Sequence, residues 1–126
     1  MEILRNYLEK FLLLSDEEWL DFKECIEIEK ISKKDFILKE GEKCDFIAFI
    51  QEGIFSFYNF HEGEEKITAF FFSGEFASNY RSFLTKSPSK HYIEALQDSI
   101  IYKIKLEKLI KLYDKHNSIE RLGRLI

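Results

Sequence analysis

The sequence predicts a mainly β domain, a double-stranded β-helix (jelly-roll) barrel of about eight short strands with flanking helices. Three observations carry that expectation. Gly41, Gly53, Gly63 and Gly74 follow one another at spacings of 12, 10 and 11 residues, the cadence of one strand plus one turn. Short apolar runs fill the intervals, at 36–38, 46–50, 54–60 and 67–72. Helical periodicity is confined to the two ends of the chain.

Taken in order, Leu4, Leu8, Phe11 and Leu12 share one helical face. Ser15-Asp16-Glu17-Glu18 reads as a capping box. It opens a second helix with Trp19, Leu20 and Phe22 as core candidates. At Ile26 the period changes: Ile26 and Ile28 alternate with Glu27 and Glu29, as in a half-buried strand. The four apolar runs then follow. Phe70-Phe71-Phe72 is read as a buried strand rather than an aromatic cage, because continuous apolar runs favour burial. Gly63, between Glu62 and Glu64, is hairpin-turn chemistry.

Residues 91–96 and 100–106 complete the strands. In the second of these, Ile100, Tyr102 and Ile104 face one way and Lys103 and Lys105 the other. Between Glu75 and His91 the strand pattern breaks. Residues 76–84 suit one or two helical turns and 85–90 a polar loop, a longer break than a normal barrel connection and of the kind that forms binding loops. The chain ends in helix, with Leu106, Leu109, Ile110 and Tyr113 at 3–4 spacing. Ile119, Leu122 and Ile126 resume it beyond an N-cap at Ser118. No cap or glycine stop follows Ile126, so the chain is expected to be a piece of a longer protein or a natural short form of one.

The length of 126 residues suits one domain with a real core. Thirteen Phe against one Met and one Trp require that core to be built from rings and β-branched chains. No apolar run reaches the roughly 18 residues of a bilayer span, and the N-terminus lacks a secretory cleavage pattern. Cys25 and Cys44 have no metal-type spacing and are read as reduced thiols of a cytoplasmic protein. The net charge is −4. Residues 100–126 carry seven Lys/Arg and three Asp/Glu, a balance of +4, which leaves −8 for residues 1–99. An acidic body of this kind is not a DNA-binding surface, and the basic end is read as the solvated face of a helix.

The order of elements resembles the cyclic-nucleotide-binding-like effector domain of Crp/Fnr transcription regulators. Leu38-Lys39-Glu40-Gly41-Glu42 resembles the family's opening turn. The stretch FIAFIQEG, ending at Gly53, resembles the strand before its next hairpin, and Gly74-Glu75 resembles the start of its phosphate-binding cassette. Tyr80 to Leu84, Ser87-Pro88-Ser89 and Ile93 to Leu96 resemble a divergent subgroup common among Bacteroidetes regulators.

The resemblance implies a homodimer and a small-molecule effector, nucleotide-like in kind. It places the ligand on Gly74, Glu75, Phe76, Ala77, Arg81 and Ser89. In the family the glycine brings backbone N–H groups to a phosphate at a helix start, the glutamate accepts from a ribose hydroxyl, and an arginine after a proline pairs with the phosphate. Here Pro88 is followed by Ser89 instead, and the cassette is longer than usual. Losing such a pair costs roughly 1.5–3 kcal/mol, one to two decades of affinity, which speaks against cyclic AMP. The resemblance divides the chain into an effector domain over 1–117 and the start of a dimerisation helix over 118–126, carrying Ile119, Leu122 and Ile126. A helix-turn-helix domain that reaches DNA would lie beyond this chain.

The barrel also resembles cupins, but His61, His91 and His116 are isolated and no His-x-His occurs, so a cupin metal is not expected. No nucleophile motif is present, and two cysteines are too few for an iron–sulfur cluster. No enzyme activity, cofactor or membrane contact is expected. The alternative is a ligand-free dimerisation or interaction module with the same fold. A kinase or channel regulatory domain would restore the cassette arginine and lack the continuing helix.

Overall fold

The structure, a computed structural model, describes residues 1–10 and 13–116, with Tyr80 described by its backbone only. The elements run α1 (Glu2–Glu9), α2 (Asp16–Glu24), β1 (Glu27–Ile31), β2 (Phe36–Leu38), β3 (Phe46–Glu52) and β4 (Ile54–His61). There follow β5 (Glu64–Phe72), β6 (Phe76–Ala77), α3 (Tyr80–Thr85), β7 (Tyr92–Ala95), β8 (Ser99–Lys105) and α4 (Leu106–Lys115). The eight strands form two antiparallel four-stranded sheets, ordered β1-β8-β3-β6 and β2-β7-β4-β5. This is the expected jelly-roll arrangement, with each sheet keeping two edge strands. No helix among the described residues is long and apolar enough to cross a membrane.

Local chemistry explains the joints. Ser15 Oγ accepts from Glu18 N at 3.1 Å while Glu18 Oε1 accepts from Ser15 N at 2.9 Å, the reciprocal cap that starts α2. Glu62 and Gly63 both take positive φ, 54° and 80°. That is what a two-residue hairpin needs to match the strand twist, and it sets the register His61 with Glu64. Gly53 makes the corner from β3 to β4 at φ 139°, where an added Cβ would sit 2.0 Å from Ser99 Oγ.

Side-chain alternation along β3 divides the core in two. Phe46, Ala48 and Ile50 point between the sheets with Leu38, Phe55, Ile93, Ala95 and Ile101. Ile47 and Phe49 point the other way, with Tyr102 and Ile104 of β8, under a layer of Leu4, Leu8, Trp19, Phe22, Leu109 and Leu112. The β3 run is therefore buried on both faces, because helices cover the outside of its sheet. Ile100 packs on that layer too, so the expected facing of Ile100, Tyr102 and Ile104 holds.

Several expectations need correction. Leu20 is exposed: successive helical residues are about 100° apart, and Trp19 and Phe22 take the inward directions of α2. Ile28 is exposed because β1 is an edge strand at the margin of the helix layer. In α4 the buried stripe is Leu109 and Leu112, while Ile110 is exposed. Residues 76–77 are not part of the break but a short strand paired with Ala48 and Phe49. Phe70 and Phe72 are exposed, because β5 is an edge strand whose outer face no described element covers. Phe11, Leu12, Ile119, Leu122 and Ile126 lie outside the described residues.

Candidate functional site

The cassette spans the connection from β5 to β7. The Gly74-Glu75 turn is fastened to the end of β3: Gly74 N donates to Ile50 O at 2.8 Å, and Ile50 N donates to Glu75 O at 2.9 Å. Gly74 has φ 87° with open space where a Cβ would stand, so backbone conformation, not crowding, calls for glycine. The Glu75 carboxylate turns back on its own turn and accepts from Phe72 N at 2.7 Å.

The six candidate residues do not converge. Phe76 packs into the helix-side layer, 5.4 Å from the Tyr7 ring and 5.2 Å from Phe49, edge-on to both. Ala77, one residue on, points into the inter-sheet core. Arg81 is an exposed residue of α3. Ser89 is buried.

Sequence reasoning missed what holds Ser89. Its hydroxyl accepts from Asn79 Nδ2 at 2.8 Å and from His91 N at 3.0 Å, and donates to His91 O at 2.8 Å. A serine hydroxyl has one donor and two acceptor positions, so all three are used. Asn79 Oδ1 in turn caps α3 by accepting from Ser82 N. Ser82 Oγ accepts from Cys44 N at 2.9 Å and donates to Ser87 O at 2.6 Å. Ser78 Oγ donates to Phe46 O at 3.0 Å and lies 3.3 Å from Cys44 Sγ. The backbone of Ser89 is clamped as well: its N–H donates to Glu42 O, and its carbonyl accepts from Gly41 N. This network of small hydroxyls welds the cassette to the β2–β3 turn. Among the described residues no buried side-chain polar atom is left without a partner.

The remaining recess measures about 100 Å³ and is lined by Asn79, Arg81, Ser82, Ser87, Pro88, Lys90 and His91. Burial holds the His91 imidazole below its ordinary range, and its Nε2 lies 3.3 Å from Thr68 Oγ1. Neither Arg81 nor Lys90 has a carboxylate within ion-pair distance among the described residues, so the rim is cationic. Behind it the roll is filled by rings: Phe57 lies 4.3 Å from His91 and 5.7 Å from Phe71. Small-ligand pockets run to roughly 300–1,000 Å³, and this recess lies below that range. Roomier, open depressions lie elsewhere, one of about 370 Å³ beside Lys30, Glu52 and Asp98 and one of about 650 Å³ between α1 and α2.

Two four-stranded antiparallel sheets, interrupted by one helical cassette and backed by helices on one side, define the jelly roll. The family model of the cyclic nucleotide-binding domain matches residues 28–116, and the chain belongs to that family. No curated protein matches the chain. Among solved structures, a cyclic nucleotide-binding domain from Methylobacillus flagellatus KT is similar, with TM-score 0.84 and 15% identity over 97% of this chain and 70% of that one. The catabolite activator protein of Thermus thermophilus gives TM-score 0.79 at 16% identity over 94% of this chain. The regulatory subunit of a cAMP-independent protein kinase A from Trypanosoma brucei gives 0.78 at 20% identity over 98%. The chain spans 55% of the first of these two longer proteins and 44% of the second.

Proposed function

We propose that the chain is the effector-sensing and dimerisation domain of a Crp/Fnr-type transcription regulator of the divergent subgroup that its cassette resembles. A small-molecule effector would be coupled through the terminal helix to a DNA-binding domain outside this chain. The observation that carries this reading is the cassette itself, a helical insertion between β6 and β7 in a chain of the cyclic nucleotide-binding family. Gly74, Glu75, Phe76, Ala77, Arg81 and Ser89 form its frame, and Ile119, Leu122 and Ile126 belong to the dimer helix. Cyclic AMP is a poor fit as the effector. Ser89 replaces the arginine, its hydroxyl is saturated, and the recess is several times too small. Effector binding acts by its differential affinity for two arrangements of the segment after α4. The domain is regulatory rather than catalytic and works in the cytoplasm.

A second reading, a ligand-free dimerisation module, is favoured by the fully satisfied hydroxyl network and the ring-filled interior. A thermal-shift screen of cyclic nucleotides and small acids separates the two. A ligand at 100 times its Kd stabilises by about 2.7 kcal/mol, which raises Tm by several degrees in a domain of this size. One active compound, and an operator gel shift by the full-length regulator that responds to it, supports sensing. No shift with any compound, together with effector-independent DNA binding, supports the module. Cyclic AMP is expected to leave Tm unchanged.

A further inference from the structure

The two sheets differ on their outer sides. All of α1, α2 and α4 lie on the sheet that contains β3. The outer face of the β2-β7-β4-β5 sheet carries no described element, yet five large apolar side chains on it are exposed. Phe60 is 54% exposed, Ile67 53%, Phe70 44%, Phe72 50% and Leu96 39%. We propose that this face is a self-association surface that docks on the same face of a second copy of the chain.

The face is already organised for contact. Tyr58 and Tyr92 stack at 5.3 Å, Phe60 meets both edge-on at 5.9 Å, and Phe36 lies 5.6 Å from Tyr92. Rings held by one another lose little freedom on docking. At the centre the Tyr58 hydroxyl donates to Glu94 Oε1 at 2.7 Å, so that donor needs nothing from a partner.

Area points to a second copy. With ~200 Å² for a whole Phe side chain, the three half-exposed phenylalanines leave roughly 300 Å² open, and Ile67 and Leu96 bring the patch to about 450 Å². Doubled across a twofold axis this is about 900 Å². The half-buried Phe36, Ile54 and Tyr92 at its margin bring it to the ~1,000 Å² that a biological interface clears. An isologous contact would place the same patch on both copies: Phe60 and Phe72 stand half exposed near the two ends of the hairpin, with Ser56 and Tyr58 buried between them. Glu40, Glu65 and Glu94 on or beside the face would repel a nucleic acid or an anionic membrane.

Sedimentation velocity of the 126-residue chain over a concentration series tests this, with the Phe70→Thr/Phe72→Thr double variant and, as a second and independent pair, Phe60→Thr/Ile67→Thr. Threonine keeps strand propensity, and circular dichroism melting checks the fold. The wild type is expected to gain mass with concentration, and either folded pair to weaken that association about tenfold or more. Leu122→Ser reports separately on the dimer helix and leaves the sheet contact unchanged. A wild type whose mass does not rise up to hundreds of micromolar, or an association that survives whichever pair folds, overturns the proposal.

Discussion

Two apolar runs of similar appearance end in opposite environments. Residues 46–50 of β3 are buried on both sides, with Phe49 at 0% exposure, whereas Phe70 and Phe72 of β5 stand about half exposed. The difference lies in what covers the sheet. Helices from both ends of the chain converge on the β3 sheet and convert its outer face into core. The β5 sheet has an outer face rich in rings that no described element covers. Burial of a strand is thus decided by elements remote in sequence.

The largest expected effect compares the faces directly. Phe49→Ala removes a ring packed against Tyr7, Phe76 and Tyr102 and is expected to cost about 3–5 kcal/mol. Phe70→Ala removes a ring that solvent already reaches and is expected to cost less than ~1 kcal/mol. Urea unfolding of both variants below the association range measures the contrast, and equal losses would break it.

The corner that joins the two sheets gives the next effect. Gly53→Ala needs φ 139° and drives a methyl to 2.0 Å from Ser99 Oγ and 2.4 Å from Ser99 Cβ. The expected cost is about 2 kcal/mol or more, from strain and overpacking together. Gly63→Ala has the positive φ without the clash, and about 1 kcal/mol is expected from conformation alone. If the two variants melt alike, crowding at the corner contributes nothing.

Much of this was legible in the sequence, for identifiable reasons. All four spaced glycines sit at positive φ, so their cadence reported backbone turns directly. The Ser15–Glu18 cap and the 62–63 hairpin are local chemistry and read correctly. The run at 70–72 was not readable, because a pattern of apolar residues states what a strand could bury and not whether a helix arrives to bury it. Part of the hydroxyl network was hidden for a related reason. Cys44 meets Ser82 across 38 residues and Ser78 across 34, and single serines carry no periodicity. The loss of the cassette arginine was visible. That Asn79 saturates the serine in its place was not, although an asparagine before a short helix is a recognisable N-cap.

The smallest effects separate the two faces by pH. On the helix side, Lys115 and His116 at the end of α4 both reach Asp21 of α2, at 2.8 and 2.7 Å, and their hydrogen bonds hold its carboxyl below the usual range. A depressed carboxylate contributes stability above its unfolded value, ~3.9, and loses it as pH falls through the lower folded value. On the bare side, burial and then the hydrogen bond to Glu94 push the Tyr58 phenol well above its ordinary range. That contribution is complete below about pH 10 and is lost as pH rises toward the folded value. Melting temperature against pH should therefore fall on both limbs. Asp21→Asn is expected to flatten the acid limb and, because Asp21 also raises the Lys115 ammonium above its ordinary range, to soften the alkaline one, whereas Tyr58→Phe is expected to flatten only the alkaline limb. The Asp21 pair lies where the chain leaves α4 for its terminal segment, so hydrogen exchange at residues 112–116 should rise in Asp21→Asn and stay unchanged in Tyr58→Phe. A Tyr58→Phe chain that loses its acid limb, or an Asp21→Asn chain whose α4 end stays protected, would mean that the two faces are not independent and that the sandwich transmits between them.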